Sequence, residues 1–227
     1  MHSFKQASVF AGICLMMAAC SGRYRIEGTV DTIGYEGHMM KVMQFTESGA
    51  VTYDSCAVNH GKFLMKGRTD STRFVVLCND GRPVIPMYLE KGRSHIAIQR
   101  TEVNVSGTRQ NDLFYSFLKD KNAIDSRYDE LWQKRMSMIR SDVMDSQELD
   151  EVHDSLTALV SECEDMIYRF VSSNYNEQVS IGVFLMLCGS PANEMSPLVR
   201  RILDSAPDSF INSPVITRYA SRVGYTR

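Results

Sequence analysis

The groups in this 227-residue chain that could do chemistry are six Cys, five His, and the carboxylates among its 27 Asp and Glu. No two cysteines stand in a C-x-x-C pair, so neither a thioredoxin-type redox motif nor a zinc knuckle is present. Cys56, Cys78, Cys163 and Cys188 lie among apolar neighbours, the setting of small buried hydrophobes. Pairing stays open as the alternative, because four cysteines in an oxidising compartment allow three connectivities. His38-Met39-Met40-x-x-Met43 carries soft thioether ligands of the kind Cu(I) takes, but on a regular strand Met40 points away from Met39 and Met43. Gap-filling in the core suits these methionines better. Asp54, Ser55 and His60 supply the residue types of a hydrolytic triad without a G-x-S-x-G elbow. Glu162, Glu164 and Asp165 lack the spacing and the Gly turn of a calcium loop and read as a solvated helix face. His95 and His153 have no H-E-x-x-H partner. The chain is therefore read as a non-enzyme, with no catalytic residue, no cofactor and no metal site.

One cysteine is different. Ala7–Met17 is apolar apart from Ser8, follows Lys5, and at eleven residues is far short of the ~20 a bilayer-spanning helix needs. Ala18-Ala19-Cys20 follows at once. Small residues directly before Cys look like a lipobox, with cleavage between Ala19 and Cys20 and acylation of Cys20. Several buried acyl chains, each CH₂ contributing ~0.8 kcal/mol, would anchor the protein stably. This gives a signal peptide over 1–19, membrane attachment through the lipid on Cys20, and an outer-membrane lipoprotein of the cell envelope. Ser21-Gly22-Arg23 holds no acidic run of the kind associated with surface export, which favours the periplasmic face. Asp31-Thr32-Ile33, Asp70-Ser71-Thr72 and Asp154-Ser155-Leu156 resemble a short O-glycosylation acceptor pattern.

The elements that must position these groups fall into two halves, 20–108 and 109–227. In the first, Tyr24, Ile26, Gly28 and Val30 alternate with polar residues at the period of a half-buried strand. Strands are expected over 39–45, 50–58, 62–66, 74–78, 84–89, 94–99 and 103–105. Asn59-His60-Gly61 should form a hairpin loop, 74–78 a central strand, and Pro83 and Pro86 mark an edge. Seven or eight strands at this spacing give an antiparallel β-sandwich or barrel. In the second half the period becomes 3.6. Leu113, Phe114, Phe117 and Leu118 begin a short helix, and Ile124 to Val143 carry another. Asp145 and Ser146 before Glu148 make a capping box for a long helix to Asn174, so the two long helices form an antiparallel hairpin. On it, Leu149, Leu156, Cys163 and Phe170 should face the 124–144 helix, with Val152, Leu159 and Ile167 toward another surface. Three shorter helices over 179–188, 196–205 and 214–223 end an α+β chain. Charge divides likewise: 20–108 is net +2, whereas 109–176 carries 14 acidic against 8 basic residues. With a mature net charge of −3 and no basic domain, nucleic acid is excluded as the partner.

Four motifs carry a family resemblance. They are Tyr24-x-Ile26-x-Gly28, Asp54-Ser55-x-x-Val58-x-x-Gly61-x-Phe63-x-x-x-Gly67, Tyr88-Leu89-Glu90-x-Gly92, and Val105-Ser106-Gly107-Thr108-x-x-Asn111-Asp112. In this order they resemble the DUF4369 domain, a β-rich domain of unknown function at the N-terminus of many lipoproteins that continue into a thioredoxin-like module. The resemblance implies the sandwich fold and the lipoprotein address. The W-C-x-x-C of that module has no counterpart here, and the single Trp, Trp132, sits in the acidic helices. The expectation is a non-catalytic binding or assembly module, with the acidic helical face as the docking surface for a protein partner. Its rival is the docking half of a split thiol–disulfide redox system whose thioredoxin-like catalytic domain is on another chain.

Overall fold

In a computed structural model, which describes residues 22–31, 33–46, 48–140, 146–188 and 195–226, the alternation of the first strand sets the architecture. β1 (Gly22–Val30) buries Tyr24, Ile26, Gly28 and Val30 and turns Arg23, Arg25, Glu27 and Thr29 outward. Seven more described strands follow: β2 (Met39–Thr46), β3 (Gly49–Ala57), β4 (Lys62–Thr69), β5 (Arg73–Asn79), β6 (Arg82–Leu89), β7 (Gly92–Ile98) and β8 (Val103–Ser106). They form two four-stranded sheets, ordered β4-β1-β7-β8 and β3-β2-β5-β6, whose inner faces share one core of Tyr24, Ile26, Met40, Val42, Phe63, Met65, Leu77, Met87 and Ile96 among others. The sandwich is open, not a closed barrel. One pair departs from the antiparallel expectation, since β1 and β7 run parallel from Tyr24↔Gly92 to Val30↔Ile98. The chain reaches β7 only after crossing the second sheet, and a crossover of that length permits parallel pairing.

β1 and β4 are locked by reciprocal glycine–aromatic pairs. Their register sets Tyr24 opposite Gly67 and Gly28 opposite Phe63. A Cβ on Gly28 would lie 2.0 Å from the Phe63 ring, and one on Gly67 would lie 2.4 Å from the Tyr24 hydroxyl, so each ring lies flat over a strand glycine. The Tyr24 hydroxyl then donates across the sandwich to Asp54 Oδ2 on β3 at 2.8 Å. At the end of that strand His60 (φ 51°) and Gly61 (φ 67°) make the two-residue turn into β4, closed by mutual hydrogen bonds of Asn59 and Lys62.

As Pro83 and Pro86 foretell, β6 is an edge strand, and α1 (Arg109–Arg140) seals it. The Asn111 side chain, fully buried, accepts from the Tyr88 N–H and donates to the Tyr88 carbonyl, both at 2.8 Å. Its amide thus takes the part of a neighbouring strand. Four residues on, Tyr115 donates to the Pro86 carbonyl at 3.1 Å. Four helical residues rise ~6 Å and two strand residues ~6.6 Å, so the first turns of α1 keep step with the edge they cover. Proline is tolerated at 86 because the N–H it lacks would point to this edge. Phe114 adds edge-on ring contacts to Tyr88 and Phe74.

α1 is continuous, not the two helices expected. The stretch 119–123 has no Gly or Pro, and Lys121 fills the stripe position with a half-buried stem while its ammonium pairs with Asp125 at 2.5 Å. α2 (Ser146–Ser173) returns antiparallel, with Phe117 against Phe170 (centroids 4.7 Å apart) and Arg127 paired with Glu162 at 2.8 Å. Asp145 of the expected capping box lies outside the described residues. α3 (Gln178–Cys188), α4 (Pro197–Ser205) and α6 (Pro214–Arg222) match the expected short helices; α5 (Asp208–Ile211), a single turn after Pro207, was not foreseen from the pattern. These fold back over the C-terminal half of α2, where Ile167 and Val171 join Phe184, Ile202 and Phe210 in a second core that includes Tyr88. Beyond Ile124, α1 buries no residue, and the paired helices continue as an arm. Leu159 does not turn to another surface as expected. It is buried and lines the groove between the helices with Leu131 and Ala158.

Two substitutions at one contact test the edge seal. Asn111→Ala leaves a buried N–H and C=O unpaired and should cost about 2–4 kcal/mol in urea unfolding. Tyr88→Phe removes a buried hydroxyl that has no hydrogen-bond partner among the described residues and should be neutral or stabilising. Equal losses for both would refute the assignment. Along the arm, Leu159→Asp should destabilise by at least ~2–5 kcal/mol while Val160→Asp, at an exposed position, changes little.

Candidate functional site

α1 runs along the β6 edge of the second sheet and the β8 edge of the first, while the outer face of β4-β1-β7 carries an open groove. Strand parity puts Arg23, Arg25, Glu27 and Thr29 of β1 on this face, with Lys62, Leu64, Lys66 and Arg68 of β4, Arg93, His95 and Ala97 of β7, and Asn104 and Ser106 of β8. An open groove of ~720 Å³ runs across it, bounded by Arg25, Lys62, Leu64, His95, Asn104 and Ser106. The Asn59–Lys62 turn forms one wall.

Glu27 is the one acid in this array of six cations. Arg25 hydrogen-bonds its carboxylate, Arg93 reaches Oε1 at 3.3 Å, and His95 Nδ1 lies 3.4 Å from Oε2. The Arg25 hydrogen bond, aided by Arg93 and His95, holds the Glu27 carboxyl below the usual glutamate range. Among the described residues Arg23, Lys62, Lys66 and Arg68 make no ion pair. Register also aligns Glu27, His95 and Ser106 on three adjacent strands, the order of groups in a hydrolytic triad. The N–H that follows Ser106, on Gly107, is spent on Asp112 Oδ1 at 2.8 Å. A donor so engaged is not free for an oxyanion, and Glu27 is bound by guanidinium groups, so the row is a hydrogen-bonding and cationic surface.

The residues singled out in sequence are dispersed. Ala19 and Cys20 lie outside the described residues. Cys56, Cys78 and Cys163 are free thiols, and burial pushes each of them above the ordinary thiol range; nothing is described of the Cys188 side chain. Met40 is buried in the core, while Met39 and Met43 are half-buried on a strand with an irregularity between Val42 and Met43. Asp54 is engaged by Tyr24, and His60 gives its N–H to Glu36 at 2.8 Å, so the two serve separate structural ends. Glu162 and Asp165 pair with Arg127 and Arg201 on the surface. Among the described residues no group of three His, Cys, Asp or Glu side chains is placed to hold a metal. The basic face was missed in sequence because its residues alternate with core positions on three strands; the period-two pattern of β1 and β4 held the signal.

Residues 24–114 match the family model Domain of unknown function (DUF4369). This is the family that the four motifs resemble. No curated protein and no solved structure gives a significant match to the chain. The DUF4369 match runs six residues past Thr108 and so takes in Asn111 and Phe114, the residues with which α1 closes β6.

The groove wall is fixed by one carboxylate. Glu36 Oε1 and Oε2 accept the N–H groups of His60 and Gly61 at 2.8 and 3.0 Å, and these bonds lower its pKa. A carboxyl whose pKa is lower folded than unfolded stabilises above its unfolded pKa, and loses that contribution as pH falls through the folded value. The difference in urea midpoint between wild type and Glu36→Gln should be largest at neutral pH and close on acidification through the carboxylate range. A pH-independent difference would refute the role of its charge.

Proposed function

We propose that this chain is a lipid-anchored, non-catalytic binding module of the cell envelope, held at the membrane through Cys20 and facing the periplasm. The observation that carries the binding reading is the open, groove-bearing basic face of the DUF4369 sandwich. An acidic two-helix arm lies at the opposite end of the charge distribution and is a second contact surface for a protein partner. Raised thiol pKa values favour binding over redox work, because exchange needs an accessible thiolate. No helix among the described residues is long and apolar enough to cross a membrane, which is compatible with attachment by lipid.

Fractionation tests the anchor. The wild-type chain should partition with membranes at the mass of an acylated product beginning at Cys20, and Cys20→Ala should yield a soluble or unprocessed form. An unchanged mass and partition in the variant would refute it. The purified mature protein should reduce insulin no faster than buffer. Reduction abolished by replacing one cysteine, or cell crosslinking from the arm to a C-x-x-C protein, would instead favour the split-redox role.

A further inference from the structure

We infer that the outer face of β4-β1-β7-β8 is a docking surface for anionic phospholipid headgroups, which lays the sandwich against the bilayer that holds its tether; the orientation rests on the anchored reading above. Three observations meet here. The cations are concentrated at one end of the face: Arg23 stands opposite Arg68, and Arg25 is flanked by Lys66 on β4 and Arg93 on β7. That end is where the chain enters. β1 begins at Gly22, two residues after Cys20, a distance of at most ~7 Å, and Arg25 is only ~10 Å further along the strand. Arg23 and Arg68 thus lie within roughly one Debye length of the tether, and Arg25, Lys66 and Arg93 within about two, close enough for the cluster to feel an anionic surface at moderate salt. Finally, the face is built for a flat, polar partner. Glu27 is neutralised by Arg25 and Arg93, while Arg23, Lys66 and Arg68 make no ion pair among the described residues and present their charge to solvent. The exposed Leu64 is the one large apolar side chain on the face, so headgroup contact fits better than insertion among acyl chains.

The test uses residues 20–227 with Cys20→Ser, so that no lipid contributes and failure of the anchor leaves the result readable. Sedimentation with vesicles of mixed phosphatidylethanolamine and phosphatidylglycerol should show binding that falls steeply as salt is raised, with little binding to phosphatidylcholine alone. Each basic residue near such a surface is worth about fivefold in partition, so Arg25→Glu with Arg68→Glu should lower binding at least tenfold. Trp132→Glu on the arm should leave it unchanged, and unaltered thermal melts would show that each variant folds. Equal binding to both vesicle types, or binding indifferent to the two reversals, overturns the proposal. So does a concentration-dependent dimer crosslinked between this face and the acidic arm of a second copy, with no vesicle binding. Vesicle binding by this form alongside an unprocessed Cys20 in cells would uphold the surface and refute the anchor.

Discussion

The two hydrogen bonds between the Asn111 amide and the main chain of Tyr88 are the constraint on which the rest of the molecule depends. β6 is the last strand of its sheet, and its outward N–H and C=O groups would otherwise be buried beneath a helix without partners. A carboxamide answers both at once, which a hydroxyl or carboxylate cannot do with the same geometry. Neighbouring residues extend the clasp. Thr108 Oγ1 accepts from Asn111, Asp112 holds the Gly107 N–H, Gln110 takes the Val179 N–H, and Arg109 and Gln110 both reach Glu177. Five consecutive residues therefore fix the sandwich, the start of α1 and the α2–α3 corner to one another.

The same economy explains the motifs of the β half. Several apparent candidates for chemistry there are occupied by closure of the fold. Asp54 receives the Tyr24 hydroxyl across the sheets, and burial together with this bond raises the tyrosine pKa further from physiological range. Gly28 and Gly67 exist to admit the Phe63 and Tyr24 rings. Glu90 caps the Gln110 N–H at 2.9 Å. What remains largely free of structural duty is the outward set of β1, β4 and β7, where six cations surround a single acid, Glu27.

Much of this was legible in the sequence, and the failures have causes. Strand positions followed from period-two alternation, and the β6 edge from two prolines. The continuity of α1 was missed because Lys121 reads as a break in the apolar stripe, when its stem packs and its head pairs with Asp125. The facing of Leu159 was misread because a helix stripe gives an angle and not a neighbour. α5 is one turn long, too short for any periodicity. Parallel pairing of β1 with β7 depends on contacts some seventy residues apart in sequence, which no local pattern encodes. The basic face was present as alternate letters of three strands, but only the register brings Arg23 to Arg68 and Arg25 to Lys66 and Arg93.

The position of β1 has a mechanical consequence. It is an interior strand, paired over eight residue positions with β4 on one side and seven with β7 on the other. A pull on its N-terminal end, directed along the strand, loads both ladders in shear, so their bonds must yield together instead of opening singly from one end. The aromatic rings seated on Gly28 and Gly67 resist the same sliding, because any slip in register drives each ring into a Cβ. A load on the N-terminal end of β1 would therefore be carried by two ladders and two seated rings at once.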